Sequence, residues 1–387
     1  MNRLHRPFSS LRVGIDATNL RSGGGVLHLQ ELLLAARPAD HGISEVTVWG
    51  GAALLQRLPA QSWLRCVHVD AADGSSGARF LWQEAKLGRL ARETSDILFV
   101  PGGLYLGGYR PFVTLCHNLL PFDNSERKRY GFSAVRARLE LLSWLQSATF
   151  RRATGVIFLT QAAQSTVERQ VGPLSGATAV IPHGISGQFF REAGASNRTD
   201  VMTSNRPFRW RYVSIIDLYK HQEKVVEATA LLHARGIPLF LDLIGPAYPP
   251  ALRRLTEVMT RLDKQGRFVK YVGPVDHFEL PGWYHGADGF VFASTCENMP
   301  IILLEAMAAA LPIVASNRAV VTEILGDAGV KCDPERIDEL ANAMMQIMTD
   351  HSFRRRCSLQ AQEKARGYSW ERSASATLAF IARCVDA

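Results

Sequence analysis

A chain of 387 residues outgrows a single hydrophobic core, so two domains of ordinary size are expected. With 47% hydrophobic and 21% charged residues and a mean hydropathy of −0.02, it belongs to neither the disordered nor the fibrous class. The net charge of +8 is held mostly by residues 1–185, with 20 Lys+Arg against 13 Asp+Glu, a basic balance compatible with nucleic acid, an anionic membrane or a phosphate-bearing substrate.

The start, "MNRLHRPFSSLRVGID", has no apolar run of signal-peptide length before Asp16, and no uncharged stretch is long enough to span a bilayer. Cys66, Cys116, Cys296, Cys332, Cys357 and Cys384 are scattered, with no C-x-x-C pair. That suits free thiols in a reducing compartment, so a cytoplasmic location is expected.

Short β-branched runs alternate with helical patterns. Strands are predicted at 11–16, 45–50, 64–70, 97–102, 112–117, 155–160 and 178–184. After the first comes "DATNLRSGGGVLHLQELLL", where Gly23, Gly24 and Gly25 precede a helix beginning near Val26. Successive glycines let a ligand approach the backbone, and the helix start offers unpaired N–H groups to a phosphate or sugar oxygen; a triple glycine also serves as a plain flexible turn. The fifth strand ends in "TLCHN", placing His117 at a carboxyl end, where it is either structural or looks into a ligand crevice.

The stretch "SERKRYGFSAVRARLELLSWLQSATFRRATG" (125–155) interleaves Lys128, Arg129, Arg136 and Arg138 with Tyr130, Phe132 and Trp144. Read as one helix, it fits an anionic bilayer surface, or a solvated face with core aromatics.

Past the polar segment 186–207 the alternation restarts, with strands at 210–216, 239–245, 267–273, 289–294 and 312–316. Continuous apolar strands with helices between them mean parallel sheets covered on both faces, hence two doubly wound α/β domains with a ligand cleft between them. In "SIIDLYKHQEKVVEA", Lys220 stands just before a helix, where a bound anion would offset its unfavourable position at the positive end of the dipole. In "STCENMPIILLEAMAAALPIVASN", Pro300 fits a first helical turn and Pro312 ends the helix, so Glu297 lies in the loop and Glu305 inside the helix. Two carboxylates flanking the N–H groups of residues 298–301 can accept sugar hydroxyls and donate to a diphosphate, although Glu297 could also simply cap the helix dipole.

With these two glutamates eight residues apart, "VGPVDHFELPGWYHGADGFVFASTCENMPIILLEAMAAALPIVASNRAVVTEILGDAGV" resembles the C-terminal domain of retaining glycosyltransferase family 4, in enzymes of the bacterial surface-polysaccharide type. The E-x7-E signature falls on Glu297 and Glu305, and the similarity runs from about Tyr212 to Trp370. It implies a GT-B fold of two Rossmann-like domains: an acceptor domain over 1–185, a nucleotide-sugar domain over 208–368, and a C-terminal helix, 369–387, crossing back to the first.

By the same resemblance, Glu305 would bind the ribose, and Glu297 and His117 would face the donor sugar. Lys220 would neutralise the diphosphate, Asn298, Met299, Pro300 and Ile301 would contact sugar and phosphate with Gly273 nearby, and Gly23, Gly24 and Gly25 would border diphosphate and acceptor. The implied donor is a GDP- or UDP-linked hexose of the mannose or glucose type. The implied acceptor is a glycan or a lipid-linked glycan, with an anionic membrane as a further partner and no nucleic acid. No cofactor or metal is implied, and no D-x-D triplet occurs. Two departures stand out: Ile215 replaces an arginine of many relatives, and "ENMP" replaces "EGFG". A nucleotide-sugar epimerase or hydrolase of the same fold, or a basic nucleic-acid binder, are the competing readings.

Overall fold

The computed structural model describes residues 11–21, 23–191, 202, 203 and 205–385; the basic start of the chain and much of the polar segment 186–207 lie outside the described residues. The chain divides into two compact units. One holds the residues up to Arg127, then Phe132–Gly184 and the stretch from Ser369 onward; the other holds Lys128–Gly131 and Ile185–Tyr368.

The first unit is built on β1 (Leu11–Asp16), β2 (Ile43–Gly50), β3 (Leu64–His68), β4 (Ile97–Val100), β5 (Phe112–Leu115), β6 (Gly155–Phe158) and β7 (Ala177–Val180). They form one parallel sheet in the order β3-β2-β1-β4-β5-β6-β7. The second unit has β8 (Phe208–Val213), β9 (Leu239–Ile244), β10 (Val269–Gly273), β11 (Gly289–Phe292), β12 (Ile313–Ser316) and β13 (Val330–Cys332), all parallel, in the order β10-β9-β8-β11-β12-β13. Strands β4, β5, β6, β11 and β12 are buried at every position, which is why they read as unbroken apolar runs. The edge strands β3 and β7 have no buried position.

Two local expectations change. Strand β13 is only three residues long and too short to stand out by pattern, yet it pairs Val330 with Val314 at the sheet edge. The helix after Glu297 runs Ile301–Ala308, with Pro300 as its extended cap residue instead of part of its first turn. It is not Pro312 that stops it: Ala310 turns left-handed at φ 53°, and Ala310 and Leu311 close the end by donating to Met307 and Ala306.

In each sheet the chain builds outward on one side of the first strand and then returns to its other side, between β1 and β4 and between β8 and β11. Loops leaving the carboxyl ends of those adjacent strands diverge and leave a crevice, the usual ligand position in open α/β sheets. The glycine turn follows β1, Lys220 follows β8 and Glu297 follows β11, so this topology dictates where the candidate residues gather.

The C-terminal helix Trp370–Arg383 packs in the first unit against the helix Gly24–Ala35. Its cap residue Ser369 accepts from the Arg372 amide at 3.2 Å. Entry depends on Gly184, since a Cβ there would lie 2.2 Å from the Trp370 nitrogen. Gly184→Ala is therefore expected to cost about 2 kcal/mol or more, because backbone meets backbone and neither side can yield by a rotamer change. Urea unfolding checks this, and a loss below about 0.5 kcal/mol would contradict so close an approach.

Candidate active site

In the second unit, β8 is followed by a single short turn, Leu218–Lys220, capped by Asp217, whose side chain accepts from the Leu218 amide at 2.7 Å. His221 then takes a left-handed conformation and launches the helix Gln222–Ala234. This turn lays the Lys220 side chain across the switch point, where its ammonium pairs with Glu297 from the loop after β11. The lysine side chain is 5% exposed and the glutamate 12%. The Tyr219 and Phe292 rings flank the ammonium at 4.9 and 5.4 Å from their centroids. Two further bonds join the same loops: the Thr295 amide donates to the Tyr219 carbonyl at 2.9 Å, and the His221 ring meets the Thr295 hydroxyl at 3.1 Å.

Glu305, buried on the helix Ile301–Ala308, has both carboxylate oxygens engaged. Tyr284 donates its hydroxyl at 2.8 Å to one, and the His277 ring lies 3.3 Å from the other. Burial, reinforced by the Glu305 charge, holds the Tyr284 phenol well above its ordinary range, so it stays a donor. Asn298 and Met299 are buried in the loop before the helix, and Gly273 closes β10. Pro300 has no N–H, so the expected row of four backbone donors is three: Asn298, Met299 and Ile301.

The structure corrects the reading of 125–155 as one basic helix. A short helix, Asn124–Lys128, ends before Gly131 at φ 58°, and a separate helix runs Ala134–Arg152. Lys128–Gly131 belongs to the second unit. Arg129 pairs there with Glu335 at 2.8 Å, and Tyr130 donates its hydroxyl to Asp217 at 2.9 Å while its ring tilts against Tyr248. Lys128 and Arg129 therefore do not share one helix with Arg136 and Arg138, which belong to the first unit. Arg136 lies over the Phe132 ring and near Glu140, and the three apolar side chains Phe132, Leu141 and Trp144 are exposed, not core.

In the first unit, Gly23 accepts from the Val26 and Leu27 amides at the start of the helix Gly24–Ala35, so Gly24 and Gly25 already form its first turn. His117 presents its Nε2 toward this turn: the atom is buried with no hydrogen-bond partner among the described residues and would lie 4.0 Å from a Cβ on Gly25. Behind it stand His28 and His183, joined Nδ1 to Nδ1 at 2.8 Å, with the Trp370 ring 5.6 Å from each. Burial lowers the His117 pKa to about 4 and depresses His28 and His183 well below the usual imidazole range, helped by their mutual repulsion, so all three rings are neutral near pH 7.

Sequence reasoning singled out neither Asp217 nor Tyr284 nor the His28 and His183 pair. The signal for Asp217 was present as a short acid directly ahead of a helix-opening segment; the others become neighbours only in the fold. Among the described residues there is no cluster of three or more metal-ligating side chains and no helix long and apolar enough to cross a membrane. All six cysteines are free thiols, and all but Cys66 are buried.

Residues 204–364, most of the second unit, match the family model for glycosyl transferases group 1. O-antigen chain mannosyltransferase B of Escherichia coli is 32% identical over 124 residues, 32% of this chain and 32% of that protein, so the chain spans about a third of the length of the curated relatives it matches. Among solved structures, Anabaena Alr3699/HepE in complex with UDP and glucose superposes with a TM-score of 0.70 at 19% identity, covering 95% of this chain and 98% of that one. WaaG, a glycosyltransferase involved in lipopolysaccharide biosynthesis, superposes with a TM-score of 0.71 at 14% identity, covering 95% and 99%. These likenesses establish the fold: two Rossmann-like parallel-sheet domains of the GT-B type.

Two outcomes follow from the geometry. Lys220→Met strands a buried carboxylate and should cost about 3 kcal/mol in chemical denaturation, whereas Lys220→Met with Glu297→Gln should cost less than the single change; additive losses would mean the two charges are independent. His28, His117 and His183 have folded pKa values below their unfolded ones, so the folded state binds fewer protons. The stability they support is complete above about pH 6.5 and declines as pH falls toward 4. The thermal midpoint should thus drop between about pH 7.5 and pH 5, and His28→Gln should flatten the drop; a midpoint equal at both pH values contradicts the buried neutral cluster.

Proposed function

We propose that the chain is a retaining, metal-independent glycosyltransferase. It moves a hexose of the mannose or glucose type from a GDP- or UDP-linked donor to a glycan or lipid-linked acceptor in cell-surface polysaccharide biosynthesis. The observation that carries this reading is the pairing of Lys220 with Glu297 beside a two-point-held Glu305, at the switch point of the sheet in the segment that matches the family model.

The chemistry follows from those groups. As the bond from the anomeric carbon to the diphosphate oxygen breaks, negative charge builds on the leaving phosphate. Lys220 has three N–H donors and spends one on Glu297, which leaves two for phosphate oxygens. The amide of Ile301, at the positive end of its helix, adds to them. The acceptor hydroxyl bonds to the anomeric carbon from the same face, and its proton passes to the departing phosphate. Glu305, its oxygens fixed by Tyr284 and His277, accepts from the ribose hydroxyls. Neutral His117 hydrogen-bonds a hydroxyl of the donor sugar, for which its unpartnered Nε2 is suited.

The exposed Phe132, Leu141 and Trp144, near Arg136 and Arg138 on the first unit, support contact with an anionic membrane through that unit.

A thermal-shift panel of nucleotides and nucleotide-sugars tests the reading, because a ligand binding only the folded state raises its melting point. One nucleoside diphosphate should stabilise the protein, and Glu305→Ala should abolish that shift, whereas His117→Ala should preserve it and lower kcat by about tenfold or more. Full nucleotide affinity in Glu305→Ala would overturn the ribose assignment, and turnover of the donor without any acceptor would favour an epimerase or hydrolase. Trp144→Ser with Leu141→Ser should lose retention on anionic vesicles if the membrane contact exists.

A further inference from the structure

Arg79, on the helix Ser76–Trp82 of the first unit, is 9% exposed yet makes no ion pair among the described residues. Its guanidinium is held only by neutral acceptors: Nε donates to Asn19 Oδ1 at 3.3 Å, one terminal nitrogen to the Gly74 carbonyl at 2.8 Å, and the other to the Ser76 hydroxyl at 2.8 Å. Arg21, exposed in the loop after β1, reaches the same Gly74 carbonyl at 3.5 Å. Two guanidiniums thus converge on one oxygen. Burial and then the charge of Arg21 draw the Arg79 pKa below its ordinary value.

Neither nearby carboxylate bonds to Arg79, although the Asp73 charge faces Arg21. Asp16 is buried against Thr18 and Gln83, and Asp73 is bound to the His68 ring at 2.7 Å and to the Ala52 amide. A guanidinium removed from water keeps an unfavourable charge unless a counter-charge meets it, and neutral acceptors do not supply one. Two such forks meeting at one point match the oxygens of a phosphate group. The place also fits: Asn19 follows β1 and lies against Gly102 after β4, where a Cβ on Gly102 would sit 3.2 Å from the Asn19 Cβ. This is the carboxyl-end crevice of the first sheet, next to the glycine turn.

We propose that Arg79 and Arg21 form an anion site in the first unit that takes a phosphate or diphosphate group of the sugar acceptor. The site rests on the glycosyltransferase reading for its role as an acceptor site, but its existence does not. It takes its ligand from one of two sources, a soluble phosphorylated glycan or a lipid diphosphate.

Inorganic pyrophosphate and geranyl diphosphate are the probes, read by calorimetry and by hydrogen exchange of the amides of residues 74–83. Both should bind the wild-type protein and protect those amides, and Arg21→Gln with Arg79→Gln, which keeps a hydrogen-bonding amide at the buried position, should weaken binding there by more than tenfold. Tighter binding of geranyl diphosphate than of pyrophosphate assigns a lipid-linked source, and equal affinity a soluble one; either supports the site. No protection of 74–83, or unchanged affinity in the double variant, overturns it. The melting shift produced by the nucleoside diphosphate should be the same in the double variant. If wild type shows no such shift with any nucleotide, the donor reading fails while the pyrophosphate result stands on its own.

Discussion

An ammonium and a carboxylate withdrawn from water have to stay together, and the pairing of Lys220 with Glu297 sets the geometry of the second unit's crevice. Removing two charges from solvent is costly, and only a close partner with few alternatives offsets it. The two loops that carry them leave adjacent strands, β8 and β11, and are stitched by the Thr295 and Tyr219 backbone bond as well. Apolar strands buried on both faces hold those loop origins fixed, so the ion pair inherits the rigidity of the sheet. The result is a cation already desolvated and held in place by its partner.

The same logic recurs with different chemistry elsewhere. Glu305 is a buried acid oriented by a phenol and an imidazole, one at each carboxylate oxygen. In the first unit, three histidines are kept neutral by burial, and Arg79 keeps its charge with neutral acceptors alone. Charge within a strand is likewise buried with a partner, as in the Arg211 and Asp242 pair of the neighbouring strands β8 and β9.

The segment Lys128–Gly131 shows how little of this follows from chain order. It interrupts the first unit, yet Tyr130 hydrogen-bonds Asp217, and Asp217 caps the turn that aims Lys220. A tyrosine far from the second unit in sequence thus supports its central cation through one intermediate acid. Burial and the Asp217 charge both raise the Tyr130 phenol, so it remains a donor under ordinary conditions. Read as part of one basic helix, this segment belonged to a surface; the left-handed Gly131 separates it from the helix Ala134–Arg152 instead.

By itself the sequence determined the class of fold and most of its strands, because parallel strands covered on both faces must be continuously apolar and the helices between them cannot be. It also singled out Glu297, Glu305 and Lys220, through the spacing of the two acids and the position of the lysine ahead of a helix. It could not give the three-residue strand β13 or the left-handed stop at Ala310, where local pattern is too short to outweigh packing. Only the tertiary structure decided who pairs with whom: Lys220 with Glu297, Tyr284 and His277 with Glu305, His28 with His183, and Arg79 with no acid among the described residues. Those partnerships depend on strand order and on burial, and side chains distant in sequence acquire them only when the sheet brings its loop ends together.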